Sequence, residues 1–252
     1  MGGSYSARLG KRGSAAWLAD LIWPPRSLLS DKIVERPGAI ESEAWAGLAF
    51  LSDPLCFRCG FPLEQDEGEE AVCGACAADP PAYDRARAAL AYDDLSARLV
   101  LDMKRGGRRD GLAAFAGWMA AAAAPLIAET DLIAPAPMHW SRLARRTFNQ
   151  AAWLAQALAR VSAKPWAPEA LVRFKRRKSQ EGLSASERRR NVGGAIRANP
   201  KIVAGKRVLV VDDVRTTGAT LEACARALRK AGALQVHGVT LARVVRPVDV
   251  SI

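Results

Sequence analysis

The order of apolar and polar positions predicts short strands that alternate with amphipathic helices. Strand patterns occupy residues 84–92, 131–136, 170–174, 191–196, 208–211 and 235–245. Helical spacing of apolar side chains occupies residues 95–103, 112–128, 140–160 and 221–230. Strands that alternate with helices in this way favour an α/β fold with a doubly wound parallel sheet.

Residues 206–232 have the pattern around which the rest of the chain is organised. Residues 208–211 are four consecutive apolar side chains, as in a strand buried on both faces of a parallel sheet. Two carboxylates, Asp212 and Asp213, stand at the end of this strand. A helix pattern ends at Gly232. Between them is a turn of small and hydroxylated residues: Thr216, Thr217, Gly218, Ala219 and Thr220.

This strand, turn and helix have the residue types of a sugar-phosphate site. Ligands of open α/β sheets bind at the carboxyl ends of strands, and the free N–H groups of a helix N-terminus attract anions. Gly218 lets a phosphate approach the backbone. Because carboxylates repel a phosphate, Asp212 and Asp213 are expected to hold sugar hydroxyls or a Mg²⁺ ion reached through water. The alternative is a buried strand, an Asp-capped turn and a core helix. Two aspartates after a strand also occur in Walker B-like sequences.

Size and charge narrow the class of protein. The chain has 252 residues, 50% of them hydrophobic, which suits one large domain or a medium domain with a small module. Its net charge of +11 suits a polyanionic ligand, such as pyrophosphate, a nucleotide or a nucleic acid, although a solvated basic surface gives the same value. No apolar run is as long as a membrane span and the start lacks a signal-peptide core, so a cytoplasmic protein without a membrane partner is expected.

Four of the five cysteines form two C-x-x-C pairs, Cys56 with Cys59 and Cys73 with Cys76. Thirteen residues separate the pairs, a spacing typical of a zinc site made by four thiolates. In so small a module, bound zinc supplies the folding free energy. Four unligated cysteines are the alternative. The fifth, Cys224, falls within a predicted helix and is expected in the core.

The stretch before these cysteines has the spacing of the same module without its ligands. Ser27 and Ser30 are three residues apart after two prolines, and Glu41 and Ala44 repeat that spacing just before Trp45. We therefore predict a ribbon module over residues 21–80, whose first half is degenerate and binds no zinc. A poorly ordered N-terminus is expected over residues 1–20, and the α/β domain over residues 81–252.

Three further groups of basic residues are candidates for contact with an anion, and the first of them suits a pyrophosphate. The turn at Pro137 leads into a helix pattern that includes Arg142 and Arg146. A basic turn occupies residues 104–109. A long loop between two strand patterns is expected to act as a lid over a polyphosphate. That loop begins with Lys175, Arg176, Arg177 and Lys178. An exposed helix face and solvated loops are the alternative interpretations.

With these motifs in view, the chain resembles the ComF family, which combines a type I phosphoribosyltransferase fold with an N-terminal zinc ribbon. Residues 210–220 resemble the phosphoribosyl-pyrophosphate (PRPP) signature of the wider superfamily. The other matching features are Pro24-Pro25, the four-cysteine ribbon, Ala136-Pro137, Phe148-Asn149-Gln150, Gln180, Leu183-Ser184 and residues 188–192. Two departures are the cysteine-free first ribbon and Thr147, which stands where the family usually has glycine.

The resemblance implies a role for each part of the candidate site. Asp212 and Asp213, as the catalytic carboxylates, would hold the ribose hydroxyls of PRPP. Residues 216–220 would hold its 5′-phosphate, and the turn over residues 137–146 would face the pyrophosphate. Mg²⁺ would bridge the pyrophosphate and the ribose hydroxyls.

Two functions fit this resemblance. The first is an enzyme that transfers a 5-phosphoribosyl group from PRPP to a nitrogen nucleophile and releases pyrophosphate. The second is a non-catalytic DNA-uptake (competence) factor that binds single-stranded DNA or a partner protein. Tryptophan and phenylalanine are scattered rather than interleaved with the basic runs, so the sequence adds little to the second. The acceptor would be held by residues 84–110 and the ribbon, where no motif identifies it.

Overall fold

The computed structural model describes residues 24–106, 109–138, 149–173 and 196–245. Its strands are β1 (Arg85–Ala91), β2 (Leu132–Pro135), β3 (Leu171–Arg173), β4 (Ile196–Ala198), β5 (Arg207–Arg215) and β6 (Gln235–Arg243). Its helices are α1 (Ser42–Ala46), α2 (Gly74–Ala78), α3 (Asp94–Gly106), α4 (Leu112–Ala122), α5 (Ala124–Glu129), α6 (Gln150–Ser162), α7 (Pro200–Val203) and α8 (Ala219–Lys230). The predicted N-terminal segment over residues 1–20 lies outside the described residues.

The centre of the fold is a parallel sheet with the strand order β1-β6-β5-β2. β5 pairs with β6 on one side and with β2 on the other, so that Val208 lies between Val236 and Leu132. Residues 208–211 are each no more than 1% exposed. The prediction of a strand buried on both faces is therefore confirmed.

Helices cover both faces of this sheet, which is the doubly wound arrangement expected from the sequence. α3, α4 and α6 pack on one face through side chains such as Leu99, Phe115 and Leu154. α8 packs on the other face through Leu221 and Leu228. Among the described residues, no helix combines the length and the apolar character that crossing a bilayer requires.

Local interactions explain the limits of α8. Gly218 precedes the helix with a φ of 79°, a left-handed conformation that glycine adopts without strain. On the exposed side, Glu222 and Arg226 form an ion pair of 2.8 Å one helical turn apart. On the inner side, Cys224 is fully buried, as expected of a core residue. Gly232 follows the helix with a φ of 89° and ends it.

β5 continues beyond the strand predicted over residues 208–211 and ends at Arg215. β6 supplies the reason, because Asp212 pairs with Thr240 and Arg215 pairs with Arg243. Asp212 and Asp213 therefore lie within a strand rather than in a loop. Backbone pairing holds both carboxylates in fixed directions.

Other boundaries also differ from the sequence pattern. β3 and β4 pair with each other in an antiparallel arrangement, apart from the parallel sheet. The helix predicted over residues 112–128 is interrupted at Ala123 and forms α4 and α5. Pro125 explains the interruption, because proline lacks an N–H donor and clashes with the preceding turn. Of the helix predicted over residues 140–160, positions 140–148 lie outside the described residues.

Two turns with the same backbone hydrogen bonds precede the sheet. The bonds run from the N–H of Ser27 to Lys32, of Val34 to Pro25, of Cys56 to Phe61 and of Leu63 to Pro54, at 2.7 to 2.9 Å. A short helix then begins directly after Glu41 in the first half and after Cys73 in the second. The two halves therefore share a backbone frame. In this frame the positions of the four cysteines correspond to Ser27, Ser30, Glu41 and Ala44.

In the first half, hydrogen bonds connect positions that correspond to cysteines of the second half. The Ser27 hydroxyl donates to the Glu41 carboxylate, and the Leu29 N–H donates to Ser27 Oγ at 3.1 Å. Hydrogen bonds from Ser27 and then Ser30 lower the pKa of Glu41. Polar contacts thus link the same parts of the chain that a metal ion would link.

The shared frame predicts that a metal site can be built in the first half. We expect the combined variant Ser27→Cys/Ser30→Cys/Glu41→Cys/Ala44→Cys to bind one zinc ion per chain more than the wild type, because four thiolates complete a tetrahedral site. Metal content is measured by plasma mass spectrometry on protein purified with zinc. The matched control retains Ala44 and should lose the added zinc to a chelator more readily. Equal zinc content in the fourfold variant and the wild type would show that the frames differ.

Candidate functional site

A cavity of about 670 Å³ opens at the carboxyl edge of the parallel sheet. Tyr92, just after β1, and Pro137, just after β2, line it. β5 and the turn that follows it contribute Asp212, Asp213 and Thr216. The strands are parallel, so residues that are distant in sequence meet at one edge.

The two carboxylates differ in their surroundings. The Asp213 carboxylate forms an ion pair of 2.7 Å with Lys104 Nζ, from the last turn of α3. The Asp212 carboxylate accepts a hydrogen bond of 2.9 Å from the Asp213 N–H. Burial, followed by the neighbouring charge of Asp213, raises the pKa of Asp212 to about 7. Near neutral pH the Asp212 carboxyl is therefore partly protonated, and Lys104 places a positive charge against Asp213.

The turn after β5 forms a smaller cleft at the N-terminus of α8. Thr216, Thr217, Gly218, Ala219 and Thr220 line this cleft, which has a volume of about 50 Å³. The first N–H groups of α8 have no partner within the helix and are directed toward this end. Thr240 of β6 also lines the cleft, and its buried hydroxyl has no hydrogen-bond partner among the described residues. These donors make the cleft suitable for an anion.

A second turn from strand to helix borders the cavity at the start of α6. Asn149 precedes this helix, and its Oδ1 accepts a hydrogen bond of 3.0 Å from the Ala151 N–H. The Asn149 Nδ2 donates to the Ala136 carbonyl at 3.2 Å. Gln150 lines the cavity, is 2% exposed, and its Nε2 has no partner among the described residues. A buried amide without a partner is costly unless a ligand or water satisfies it.

The structure brings part of the predicted site together and leaves part outside the described residues. Asp212, Asp213 and Pro137 line the large cavity, and the turn over residues 216–220 lines the adjoining cleft. Two groups lie outside the described residues. They are Arg142 and Arg146 of the predicted pyrophosphate turn, and Lys175, Arg176, Arg177 and Lys178 of the predicted basic loop.

Sequence reasoning missed four residues of this site. The sequence pattern places Lys104 in a basic turn that could contact an anion, whereas Lys104 belongs to α3 and forms an ion pair with Asp213. Tyr92 follows β1 directly, so the rule that strand ends share an edge could have found it. Arg173 and Thr240 lack such a signal, because their positions depend on the pairing of β3 with β4 and of β6 with β5.

The four cysteines of the second ribbon half have the geometry of a tetrahedral metal site. Their sulfurs all lie within 4.8 Å of one another, and the Sγ atoms of Cys59 and Cys73 are 3.7 Å apart. Zinc with four thiolates at the usual bond length separates its sulfurs by about 3.8 Å. The N–H groups of Cys59 and Cys73 donate to Cys56 Sγ at 3.4 and 3.3 Å. The residues present therefore fit a zinc ion.

Two arginines at the ends of central strands contact this metal site. Arg215 Nη1, from β5, and Arg243 Nη1, from β6, each donate to the Cys59 carbonyl at 2.6 Å. Arg243 Nη1 also lies 3.7 Å from Cys59 Sγ. Burial raises the pKa of the Cys59 thiol, but the charges of Arg243 and then Arg215 outweigh this and lower the pKa to about 6. Cys59 is thus ready to bind a metal as a thiolate at neutral pH.

The raised pKa of Asp212 predicts how stability changes with pH. The carboxyl ionises near 3.8 in an unfolded chain and near 7 in the folded protein, so protonation stabilises the fold. This contribution is complete below about pH 4 and is lost as the pH rises to 7. Asp212→Asn stays neutral, so we expect it to be more stable than the wild type at pH 8, with a smaller difference at pH 5. Urea unfolding measures this difference, with the exposed Asp102→Asn as control. A difference that does not change with pH would contradict the assignment.

Comparisons with known proteins match two family models and find similar solved structures. A family model described as a phosphoribosyl transferase domain matches residues 146–248, and one described as a double zinc ribbon domain matches residues 18–77. The orotate phosphoribosyltransferase structure from Aeropyrum pernix is similar with 18% identity and a TM-score of 0.36, over 60% of this chain and 78% of that one.

Two curated relatives are similar to this chain in sequence. The DNA utilization protein YhgH of Escherichia coli O157:H7 is 31% identical over 188 residues, which are 73% of this chain and 81% of that protein. Competence protein F of Haemophilus influenzae is 37% identical over 115 residues, which are 45% of this chain and 50% of that protein. With the two family models, these relatives show that the chain belongs to the ComF-like family, in which a phosphoribosyltransferase domain is joined to a zinc ribbon.

Proposed function

We propose that the protein binds PRPP in the 670 Å³ cavity and transfers its 5-phosphoribosyl group to a nitrogen nucleophile, releasing pyrophosphate. One observation supports this proposal above all: the paired carboxylates of β5 and the cleft at the start of α8 adjoin each other. Asp212, Thr216 and Thr220 line both the cavity and the cleft. One ligand that has both sugar hydroxyls and a terminal phosphate can therefore reach both sites.

The ribose end of the ligand is assigned to the carboxylates and the phosphate to the α8 cleft. Asp212 and Asp213 accept hydrogen bonds from the 2′- and 3′-hydroxyls. The N–H groups at the start of α8, with the hydroxyls of the threonines around Gly218, donate to the 5′-phosphate. Thr240 of β6 also lines the cleft, and its hydroxyl, which has no partner among the described residues, is a further donor to the phosphate.

The pyrophosphate is assigned to the part of the large cavity that Gln150 and Arg173 line. Each of these two residues has a buried nitrogen without a partner among the described residues. Arg142, Arg146 and residues 175–178 are assigned to the same anion. Mg²⁺, if bound with the substrate, would neutralise part of the charge of the pyrophosphate. A carboxylate pair is a suitable neighbour because Mg²⁺ prefers oxygen ligands.

The transfer exchanges one bond at the anomeric carbon of the ribose for another. The bond from this carbon to pyrophosphate breaks, and its electron pair stays on the departing oxygen. The lone pair of the nucleophile forms the new carbon–nitrogen bond, and the nucleophile loses its proton. The chain's own residues contribute position and charge: they hold both ends of the ligand and stabilise the departing anion.

Calorimetry of PRPP binding tests the site. The wild type should bind PRPP with a dependence on Mg²⁺, and Asp212→Asn and Asp213→Asn should each weaken binding about tenfold, corresponding to about 1.4 kcal/mol. Asp102→Asn changes an exposed carboxylate of α3 and should leave the affinity unchanged. Full affinity in both site variants would refute the assignment. If PRPP binds, release of pyrophosphate in the presence of different nucleobases and amines identifies the acceptor.

A second candidate function is binding of single-stranded DNA, and two observations favour it. The relatives are named for DNA utilization and competence. The fold also gathers aromatic side chains that are scattered in the sequence: Trp45, Phe50 and Trp118 have ring centroids 5.2 to 5.5 Å apart. Trp45 is 46% exposed and Phe50 is 40% exposed. Exposed rings of this kind can stack on unpaired bases.

Substitution of the exposed tryptophan tests the DNA function. Trp45→Ala should weaken binding of a single-stranded oligonucleotide about tenfold or more, because stacking contributes about 1–3 kcal/mol per base. The dependence of affinity on salt should stay the same, since the phosphate contacts remain. Trp166→Ala removes an exposed tryptophan elsewhere and serves as the control. Equal losses in the two variants, or no oligonucleotide binding by the wild type, would exclude this surface.

A further inference from the structure

We propose that Arg215 links the zinc centre to the phosphate cleft, so that zinc and a phosphoribosyl ligand strengthen each other's binding. This inference rests on the phosphate site proposed above. Arg215 is the last residue of β5 and directly precedes Thr216 of the cleft. Its backbone is thus part of the phosphate site, and its side chain contacts the metal module.

The guanidinium of Arg215 is fixed at both of its ends. Nη1 donates to the carbonyl of the metal ligand Cys59 at 2.6 Å. Nη2 donates to the Tyr83 hydroxyl at 2.5 Å, and the guanidinium carbon lies 5.4 Å from the centre of that ring. Cys59 and Tyr83 are 4% and 3% exposed, so neither can move without disturbing the packed interior.

The same guanidinium lies directly against the glycine of the phosphate cleft. A Cβ atom at Gly218 would be 3.1 Å from Arg215 Nε and 3.3 Å from its Nη2. Gly218 has a φ of 79°, so the position favours glycine for its conformation as well as for its space. A shift of the Arg215 side chain would therefore change the packing against Gly218.

A second arginine shows why this support depends on the metal. Arg243 donates to the same Cys59 carbonyl at 2.6 Å and is 6% exposed. Two positive side chains thus meet at one oxygen atom, an arrangement that needs a negative neighbour. A zinc ion with four thiolates has a net charge of about −2 and supplies it. The metal also holds the turn that presents the Cys59 carbonyl, so loss of zinc frees the point where both arginines are bound.

Thermodynamic linkage then gives a reciprocal expectation. If bound zinc favours the arrangement of the cleft that holds a phosphate, a bound phosphate ligand must raise the affinity for zinc by the same factor. If Arg215 only attaches the ribbon to the sheet, a bound phosphate ligand leaves the affinity for zinc unchanged. The effect of the ligand on zinc affinity therefore separates the two roles of Arg215.

Arg87 offers a matched control for the structural role. Its Nη1 donates to the carbonyls of Phe57 and Cys56, at 3.1 and 3.4 Å. It thus attaches the same metal turn to β1. The lining of the phosphate cleft does not include Arg87 among the described residues. Arg87→Met should lower the affinity for zinc and keep the linkage, whereas Arg215→Met should remove the linkage.

The experiment measures zinc affinity of the full-length protein by competition with a chromophoric chelator, with and without saturating ribose 5-phosphate. We use this ligand because it needs no Mg²⁺, which the chelator would also bind. Ribose 5-phosphate should raise the zinc affinity of the wild type and of Arg87→Met by roughly fivefold or more. Ribose 5-phosphate should leave the zinc affinity of Arg215→Met unchanged. The affinity of this variant for ribose 5-phosphate should be roughly fivefold lower than that of the wild type.

A milder variant keeps the test valid if Arg215→Met does not fold. Tyr83→Phe removes only the hydroxyl that accepts from Arg215 and should reduce the linkage factor while zinc still binds. Failure of the wild type to bind ribose 5-phosphate would overturn the phosphate site and the linkage with it. Binding of ribose 5-phosphate without any change in zinc affinity, or an unchanged factor in Arg215→Met, would overturn the linkage and leave the phosphate site intact.

Discussion

The burial of β5 between β6 and β2 is the constraint on which the rest of the structure depends. Val208 and Val210 pack toward α8, and Leu209 and Val211 pack toward the helices of the opposite face. Each such side chain stabilises the fold by about 1.5–3 kcal/mol when it is fully buried. Since the strand is fixed from both faces and both edges, the polar residues that follow it have fixed directions. The carboxylates and the α8 cleft are therefore placed by the core.

The electrostatics of the site follow from this placement. Strand pairing holds two adjacent carboxylates near the end of a buried strand, where burial raises the pKa of Asp212 to about 7. Lys104 of α3 offsets the charge of Asp213 at 2.7 Å. A ligand that brings hydroxyl donors and a divalent cation is favoured over a bare anion at this position. The start of α8 instead offers N–H donors that suit an anion, so the cavity and its adjoining cleft suit the two ends of the proposed ligand.

The zinc ribbon and the sheet meet at the Cys59 carbonyl, which accepts from arginines of both central strands. The ribbon is too small to form a large core of its own, and contacts with β1, β5 and β6 supplement the metal. The first ribbon half has the same backbone frame with Ser27, Ser30 and Glu41 in place of cysteines. Hydrogen bonds can replace a metal there, whereas the second half retains its thiolates where the arginines converge.

The sequence by itself determined the α/β class, the buried strand, the carboxylates after it and the four-cysteine set, because each depends on residue type and local spacing. The spacing of residues in the sequence also predicted that four positions of the first ribbon half correspond to the four cysteines of the second. These positions are Ser27, Ser30, Glu41 and Ala44. The sequence could not assign Lys104 to Asp213, place Thr240 beneath the phosphate cleft or bring Arg215 to Cys59. These contacts depend on strand order, register and the reach of long side chains across the chain. Tertiary structure alone decided them, because Lys104 and Cys59 are each more than a hundred positions from their partners, and Thr240 reaches the cleft only through the pairing of β6 with β5.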